Sequence, residues 1–237
     1  MENIIEINGI IFNYLQLKLI EEGLDSDRRS FGEIRDILNN KPTFSPEEFA
    51  FECFYVVCVA GFKQDYAKKM CNRVIDFIKN NNFKFTEDEL AQIYGNRMKV
   101  KAIKQIWDNR ALYQKKFYSL KTTEEKVDFL GSLPYIGNIT KYHLARNLGL
   151  NFVKYDIWIQ RLGVALYGDD GLVDKVNNSK LLPEIKYCCD IMFDKLHKET
   201  GEKVGYIDVV LWRSCQKGLL KINGRKVFLN KEFNTRS

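Results

Sequence analysis

The sequence predicts an all-α protein folded as two helical lobes. Three observations carry this: only four prolines and 15 glycines in 237 residues, apolar residues recurring at i, i+3 and i+4 along most of the chain, and a scarcity of alternating stretches. Helices are expected over 2–22, 30–38, 46–60, 64–81, 86–92, 98–118, 123–131, 138–148, 156–167, 171–177, 181–199 and 204–218. Ser45-Pro46-Glu47-Glu48 opens the third with a cap, a proline at the first helical position and acidic residues in the first turn. Thr122 caps 123–131 in a similar way, with Glu124 in the first turn and Glu125 three residues on. Gly149 after Leu148 is a left-handed helix stop. Lys226-Val227-Phe228-Leu229 is the one good strand, and Phe83-Lys84-Phe85 a poor second. No repeat, low-complexity run or long linker interrupts the chain.

Composition excludes several classes. Apolar residues make up 45% and charged residues 29%, as in ordinary folded domains and unlike disordered or collagenous chains. No window reaches 18 apolar residues, the best (Phe49–Phe62) being interrupted by Glu52, so no membrane span is expected. Met1-Glu2-Asn3-Ile4 lacks the basic and apolar regions of a signal peptide, so a cytoplasmic or nucleoid-associated, non-secreted protein is expected. Six cysteines in this length, without an export signal, do not read as a disulfide framework. Cys53, Cys58 and Cys71 sit in apolar helical patterns as buried thiols. With no CxxC and only His143 and His197, neither zinc nor an iron–sulfur cluster is expected.

The net charge of +6 is unevenly spread. Residues 95–161 hold 13 Lys/Arg against 5 Asp/Glu, and 221–237 hold 5 against 1, whereas the remainder is acidic. A basic middle and tail on an acidic frame suits a phosphate-bearing partner. A solvated lysine face would have the same composition, so the charge needs a motif beside it.

That motif is Leu133-Pro-Tyr135-Ile136-Gly137-Asn138-Ile139-Thr-Lys141, a short apolar turn between two helices. Such a hairpin aims free backbone N–H groups outward at the second helix's N-terminus, where a phosphate can bind. Lys141 and Arg146 are the candidates for added charge.

Here the chain resembles the helix-hairpin-helix DNA glycosylase superfamily, whose hairpin reads L-P-G-[IV]-G and is followed by a helix, a short loop and an Asp. Asn151-Phe-Val-Lys154-Tyr-Asp156-Ile-Trp-Ile-Gln-Arg161 supplies that continuation, with Asp156 19 residues after Gly137. Phe51–Gly61, Tyr94–Ile103 and Gly205–Trp212 look similar to further family segments, so the resemblance covers roughly 45–220. It implies a two-lobed fold with an active-site cleft between lobes. One lobe would be 45–165, carrying the hairpin at about 123–148; the other, 1–44 plus 166–237.

The resemblance implies base excision from double-stranded DNA by a monomeric enzyme. Breaking an N-glycosidic bond builds positive charge on the sugar, which a fixed carboxylate stabilises, after the base has left the helix for a pocket. Asp156 is the candidate carboxylate, and also a natural N-cap. Tyr135, Ile136, Gly137, Asn138, Lys141, Arg146 and Arg161 are the candidate DNA contacts. Gly61, Phe62, Ile139, Asp208 and Trp212 are the candidate base pocket, roomy enough for a bulky, phage-type modified base. Trp107 and Trp158 are assigned to packing. The backbone carbonyls of Gly131, Leu133 and Ile136 would hold a sodium or potassium ion; no other cofactor is implied.

Two departures shape the expected activity. The family's first hairpin glycine is Tyr135 here. Strand-cutting members use a lysine two residues after the second glycine, and that position is Ile139, which cannot form a Schiff base. Lys141 lies two residues further, about 200° around the helix; Lys154, near Asp156, stays open. The leading expectation is a monofunctional glycosylase leaving an intact abasic strand. The alternatives are a bifunctional 8-oxoguanine-type glycosylase/lyase and a non-catalytic helix-hairpin-helix DNA-binding protein.

Overall fold

The computed structural model describes residues 3–230 apart from 27, 63, 178 and 179, so that part of the basic tail, 231–237, lies outside the described residues. Helices dominate, and the chain divides into two compact units, Met1–Asn40 with Asn151–Ser237, and Lys41–Leu150. Counted from the sequence, Lys41–Leu150 carries 18 Lys/Arg against 12 Asp/Glu, the chain's entire net charge of +6.

The discontinuous unit holds α1 (Gly9–Glu21), α2 (Phe31–Asn40), α10 (Ile157–Tyr167), α11 (Asp170–Val173), α12 (Pro183–Thr200) and α13 (Val204–Gln216). Phe12, Leu15 and Leu19 of α1, Leu162 of α10, Leu196 of α12 and Leu211 of α13 are fully buried. A side-chain carbon on Gly163 of α10 would stand 2.6 Å from Cys189 Sγ and 2.9 Å from the Cys189 backbone. Only glycine lets α10 and α12 approach this closely. Arg35 of α2 ties to α13, its guanidinium 4.4 Å from the Tyr206 ring centroid and its Nη2 donating to Glu202 Oε1 at 2.6 Å.

A small antiparallel sheet completes this unit. It comprises β1 (Asn3–Ile4), β2 (Leu220–Asn223) and β3 (Lys226–Leu229), in the order β1-β3-β2. Asn3 pairs with Leu229, and Leu220 faces Leu229 from the other side. Gly224, at φ +56, makes the β2–β3 turn, a conformation that costs glycine little.

The continuous unit holds α3 (Pro46–Val59), α4 (Gln64–Asn80), α5 (Glu87–Ile93), α6 (Arg97–Asp108), α7 (Arg110–Ser119), α8 (Thr123–Gly131) and α9 (Thr140–Asn147). Helix α3 is buried nearly all round, from Phe49 to Cys58, because α4, α6, α7 and α9 pack on it. Trp107 is buried, its ring stacked 5.8 Å from Phe51; the sequence assigned it to packing, and it packs.

The expected caps form at Ser45 and Thr122, both as capping boxes, each accepting from the N3 backbone while Glu48 or Glu125 reaches back. A third, Thr86 with Glu89, opens α5. Replacing Thr122 by Ala should destabilise the protein by about 1 kcal/mol, measurable as a shift of the urea midpoint with unchanged slope. Gly149 takes φ +85, as expected of a helix stop.

Several expectations are corrected. The first helix starts at Gly9, not residue 2, because Asn3–Ile4 pairs with β3 and Asn8 Oδ1 caps the helix through Ile11 N–H. The stretch 98–118 is two helices. Asn109 (φ −102, ψ 10) ends α6, its Nδ2 donating back to Gln105 O at 2.9 Å. Phe83-Lys84-Phe85 is no strand; Asn82 and Phe83 take positive φ and turn the chain after α4. Residues 151–165, assigned by sequence to the hairpin lobe, belong with α12 and α13, against which α10 packs.

All six cysteines are buried and free. No helix among the described residues is long and apolar enough to cross a membrane.

Candidate active site

Asp156 is the N-cap of α10. Its backbone is extended (φ −78, ψ 178), and Oδ1 accepts from Trp158 N–H at 3.0 Å and Ile159 N–H at 3.3 Å. Oδ2 lies 3.5 Å from Lys154 Nζ, both side chains being largely buried. One oxygen is thus fixed by the helix and the other faces a single ammonium. Burial pushes the Cys215 thiol of α13 up, and the Asp156 carboxylate adds to that shift.

The loop 151–156 that carries this carboxylate is pinned to α13 and α12. Asn151 Oδ1 accepts from Gly205 N–H at 2.9 Å, and a side-chain carbon on Gly205 would press within 3.1 Å of Phe152 O. Buried Asp208 accepts from Lys154 N–H through Oδ2 at 3.2 Å. Lys154 Nζ lies 5.8 Å from the Trp212 ring centroid. Gly205, Asp208 and Trp212 recur every three to four residues, so one face of α13 holds the loop. Tyr155 hydroxyl donates to Asp190 Oδ1 of α12 at 2.6 Å, and Gln160 Nε2 donates to Tyr155 O at 2.8 Å.

Asp208 and Trp212 were read from the sequence as base-pocket residues. In the structure, Asp208 shapes the backbone that presents Lys154 and Asp156. Asp190 and Gln160 were missed; the one signal was Gln160 amid the apolar run of α10.

In the other unit, α8 and α9 form the expected hairpin. Gly131 sits under Lys141, where a side-chain carbon would come within 2.9 Å of Lys141 Cδ. Leu133 and Ile136 are buried, with Ile136 N–H donating to Leu133 O at 3.1 Å. Tyr135 takes φ +64, the left-handed conformation glycine would adopt freely. Gly137 N–H donates to Thr140 Oγ1 at 2.7 Å. Ile139 is the N-cap of α9 and makes no side-chain cap. Among the described residues, no internal acceptor takes the N–H groups of Asn138, Ile139 and Thr140. Such an uncapped helix end is suited to an anion.

The expected cationic neighbours behave differently. Lys141 Nζ pairs with Asp128 Oδ1 at 2.9 Å, bridging α9 to α8. Arg146 lies six residues past Thr140, about 9 Å along the helix. Arg161 is exposed on α10, its guanidinium 5.6 Å from the Trp158 ring centroid.

Of the other pocket candidates, Gly61 takes φ +77 with open space where a side chain would start, and Phe62 is exposed beside it. Ile139 is half-buried at the hairpin. The carbonyl of Leu133 accepts Ile136 N–H, whereas those of Gly131 and Ile136 take no hydrogen bond among the described residues. That donor set fits a hard monovalent cation.

Neither protein-family models nor curated proteins match this chain. Solved structures do. The 8-oxoguanine glycosylase/lyase of Methanocaldococcus jannaschii, in complex with 15mer DNA containing 8-oxoguanine, superposes with a TM-score of 0.65 over 90% of this chain and 100% of that one, at 16% identity. A second structure of the 8-oxoguanine DNA glycosylase from that organism gives 0.63 over 90% and 95%, at 18% identity. The 8-oxoguanine DNA glycosylase of Thermotoga maritima gives 0.61 over 87% and 96%, at 16% identity. The chain therefore has the all-α fold of these glycosylases.

Proposed function

We propose that this chain is a monofunctional DNA N-glycosylase that extrudes a damaged or modified base from double-stranded DNA and hydrolyses its glycosidic bond. The observation that carries the reading is Asp156, whose carboxylate is rigidly capped on α10 within a fold that resembles 8-oxoguanine DNA glycosylases. As the base departs with its bonding electrons, charge builds at the sugar C1′, and the Asp156 carboxylate stabilises it. Water then adds to C1′; its proton leaves through the carboxylate, and the products are free base and an abasic strand.

The uncapped N-terminus of α9 is the proposed phosphate contact, with a sodium or potassium ion at the carbonyls of Gly131, Leu133 and Ile136 adding positive charge beside it. Gly61, Phe62, Ile139, Asp208 and Trp212 are the proposed pocket residues. The enzyme is taken to act as a monomer in the cytoplasm or on the nucleoid.

The test is incubation of the protein with duplexes carrying damaged bases and with modified phage DNAs, scoring released base by mass spectrometry. Release of one base from an otherwise intact strand supports the reading. Binding without release from any DNA would favour a non-catalytic helix-hairpin-helix protein.

A second reading draws on one distance, the 3.5 Å between Lys154 Nζ and Asp156 Oδ2. An amine there could attack C1′ in place of water and give a lyase despite Ile139. Borohydride separates the two: a trapped protein–DNA adduct that disappears in Lys154→Met would establish the lyase. No adduct is expected.

A further inference from the structure

The basic segment that follows α13 has no part in the excision chemistry. Residues 217–230 hold four Lys/Arg and no Asp/Glu, whereas the rest of their unit is net acidic. Most of this segment is the β2–β3 hairpin, whose two faces alternate along the strands. Leu220, Val227 and Leu229 are buried on the inner face, and Lys221, Asn223 and Lys226 are exposed on the outer one. Gly224 and Arg225 form a two-residue turn between the paired Asn223 and Lys226, which puts exposed Arg225 at the tip. Lys221 and Lys226 are diagonal neighbours across the ladder, about 7–8 Å apart at the backbone. Among the described residues, no carboxylate pairs with Arg225 or Lys226.

The hairpin is firmly seated. Both strands pack on α10, and β2 packs on α13 as well, the two helices that carry and brace Asp156. Its cations are therefore fixed to the same frame as the candidate carboxylate, within one unit. Guarding of a sheet edge explains only part of this charge. Strand β2 is an edge of the sheet, and a lysine there keeps other chains from pairing with it. That accounts for Lys221, but Lys226 lies on the middle strand and Arg225 in the turn.

We propose that Lys221, Arg225 and Lys226 form a second phosphate contact for duplex DNA, carried by the discontinuous unit and separate from the N-terminus of α9. The occupant is a polyanion, because three cations on an exposed strand face and tip attract charge without enclosing a small anion. The contact reads no sequence, since its groups reach phosphates and not base edges. It rests on the DNA reading above for its ligand. The two contacts also differ in kind. The α9 site offers neutral N–H groups, and Lys141 beside it is already paired with Asp128. Neutralising the hairpin therefore changes the salt dependence of binding and leaves α9 untouched.

The test is affinity for an undamaged duplex, read by fluorescence anisotropy as salt rises from about 50 to 200 mM. In the triple variant Lys221→Gln, Arg225→Gln, Lys226→Gln, the slope of log affinity against log salt should fall by about two to three. At the lowest salt this variant should bind roughly tenfold more weakly than wild type. A control triple, Lys175→Gln, Lys180→Gln, Lys198→Gln, removes the same charge from exposed lysines elsewhere in the unit. Its slope should move by less than about one. All six side chains are exposed, so both variants should melt with wild type, which excludes unfolding as the cause. An unchanged slope in the hairpin variant overturns the contact. An equal fall in both variants also overturns it and assigns the effect to net charge. If the slope falls as stated but no DNA releases a base, the hairpin contact stands and the glycosylase reading alone fails. Wild type that binds no duplex overturns both.

Discussion

Asp156→Asn should abolish base excision, by about a thousandfold or more in single-turnover rate, while leaving the protein folded. Asparagine ranks with aspartate as an N-cap, and its side-chain oxygen can still accept from Trp158 and Ile159, which hold Oδ1 now. What is lost is the charge. The oxygen facing Lys154 is replaced by a neutral amide NH2, which cannot stabilise a cationic sugar. Asp156→Ala should lose the rate equally but also destabilise the protein by about 1 kcal/mol, the value of a missing cap. Measuring both variants by thermal melting and by base release separates the two duties of one side chain. If Asp156→Asn excised at the wild-type rate, the catalytic assignment would fail.

Gly163→Ala should have the largest effect on stability. The new methyl would sit 2.6 Å from Cys189 Sγ and 2.9 Å from Cys189 N and Cα. A sulfur could rotate away, but the backbone of α12 cannot. The helices must separate, and overpacking of this kind costs about 3 kcal/mol, or roughly 6–12 °C in melting temperature for a chain of this size. Adding Cys189→Ala should recover only part of the loss, because the backbone contact remains. A double variant as stable as Cys189→Ala alone would show that the helix approach is not limiting.

The sequence reading succeeded where the determinants are local. The caps at Ser45, Thr122 and Asp156, the stop at Gly149 and the α8–α9 hairpin each depend on residues a few positions apart, and each is found. It failed where the partner is remote. Strand β1 exists only because Leu229 lies beside Asn3, and two residues of strand carry no periodic signal. The break at Asn109 is hidden because apolar spacing continues through it from Trp107 to Phe117.

The candidate site divides the same way. The N-cap duty of Asp156 was legible, since an aspartate before an apolar run is a natural helix start. The role of Asp208 was not, because its acceptor duty is defined by a backbone amide 54 residues away. The Lys141–Asp128 pair was not legible either, because nothing in the immediate neighbourhood of Lys141 announces Asp128, 13 residues earlier on the facing helix.

The division of the chain also sets a timetable for its synthesis. Lys41–Leu150 is contiguous, so all its packing partners are present once residue 150 has left the ribosome. The other unit begins first and finishes last: Asn3 must wait for Leu229, roughly 11–45 s at ordinary elongation rates. Until α13 follows, Phe12, Leu15 and Leu19 lack its cover. Early-chain apolar surface held open this long is what chaperones bind and what aggregates without them. Yield in a foreign host should therefore respond more to slowed, cooled expression than to any change within Lys41–Leu150.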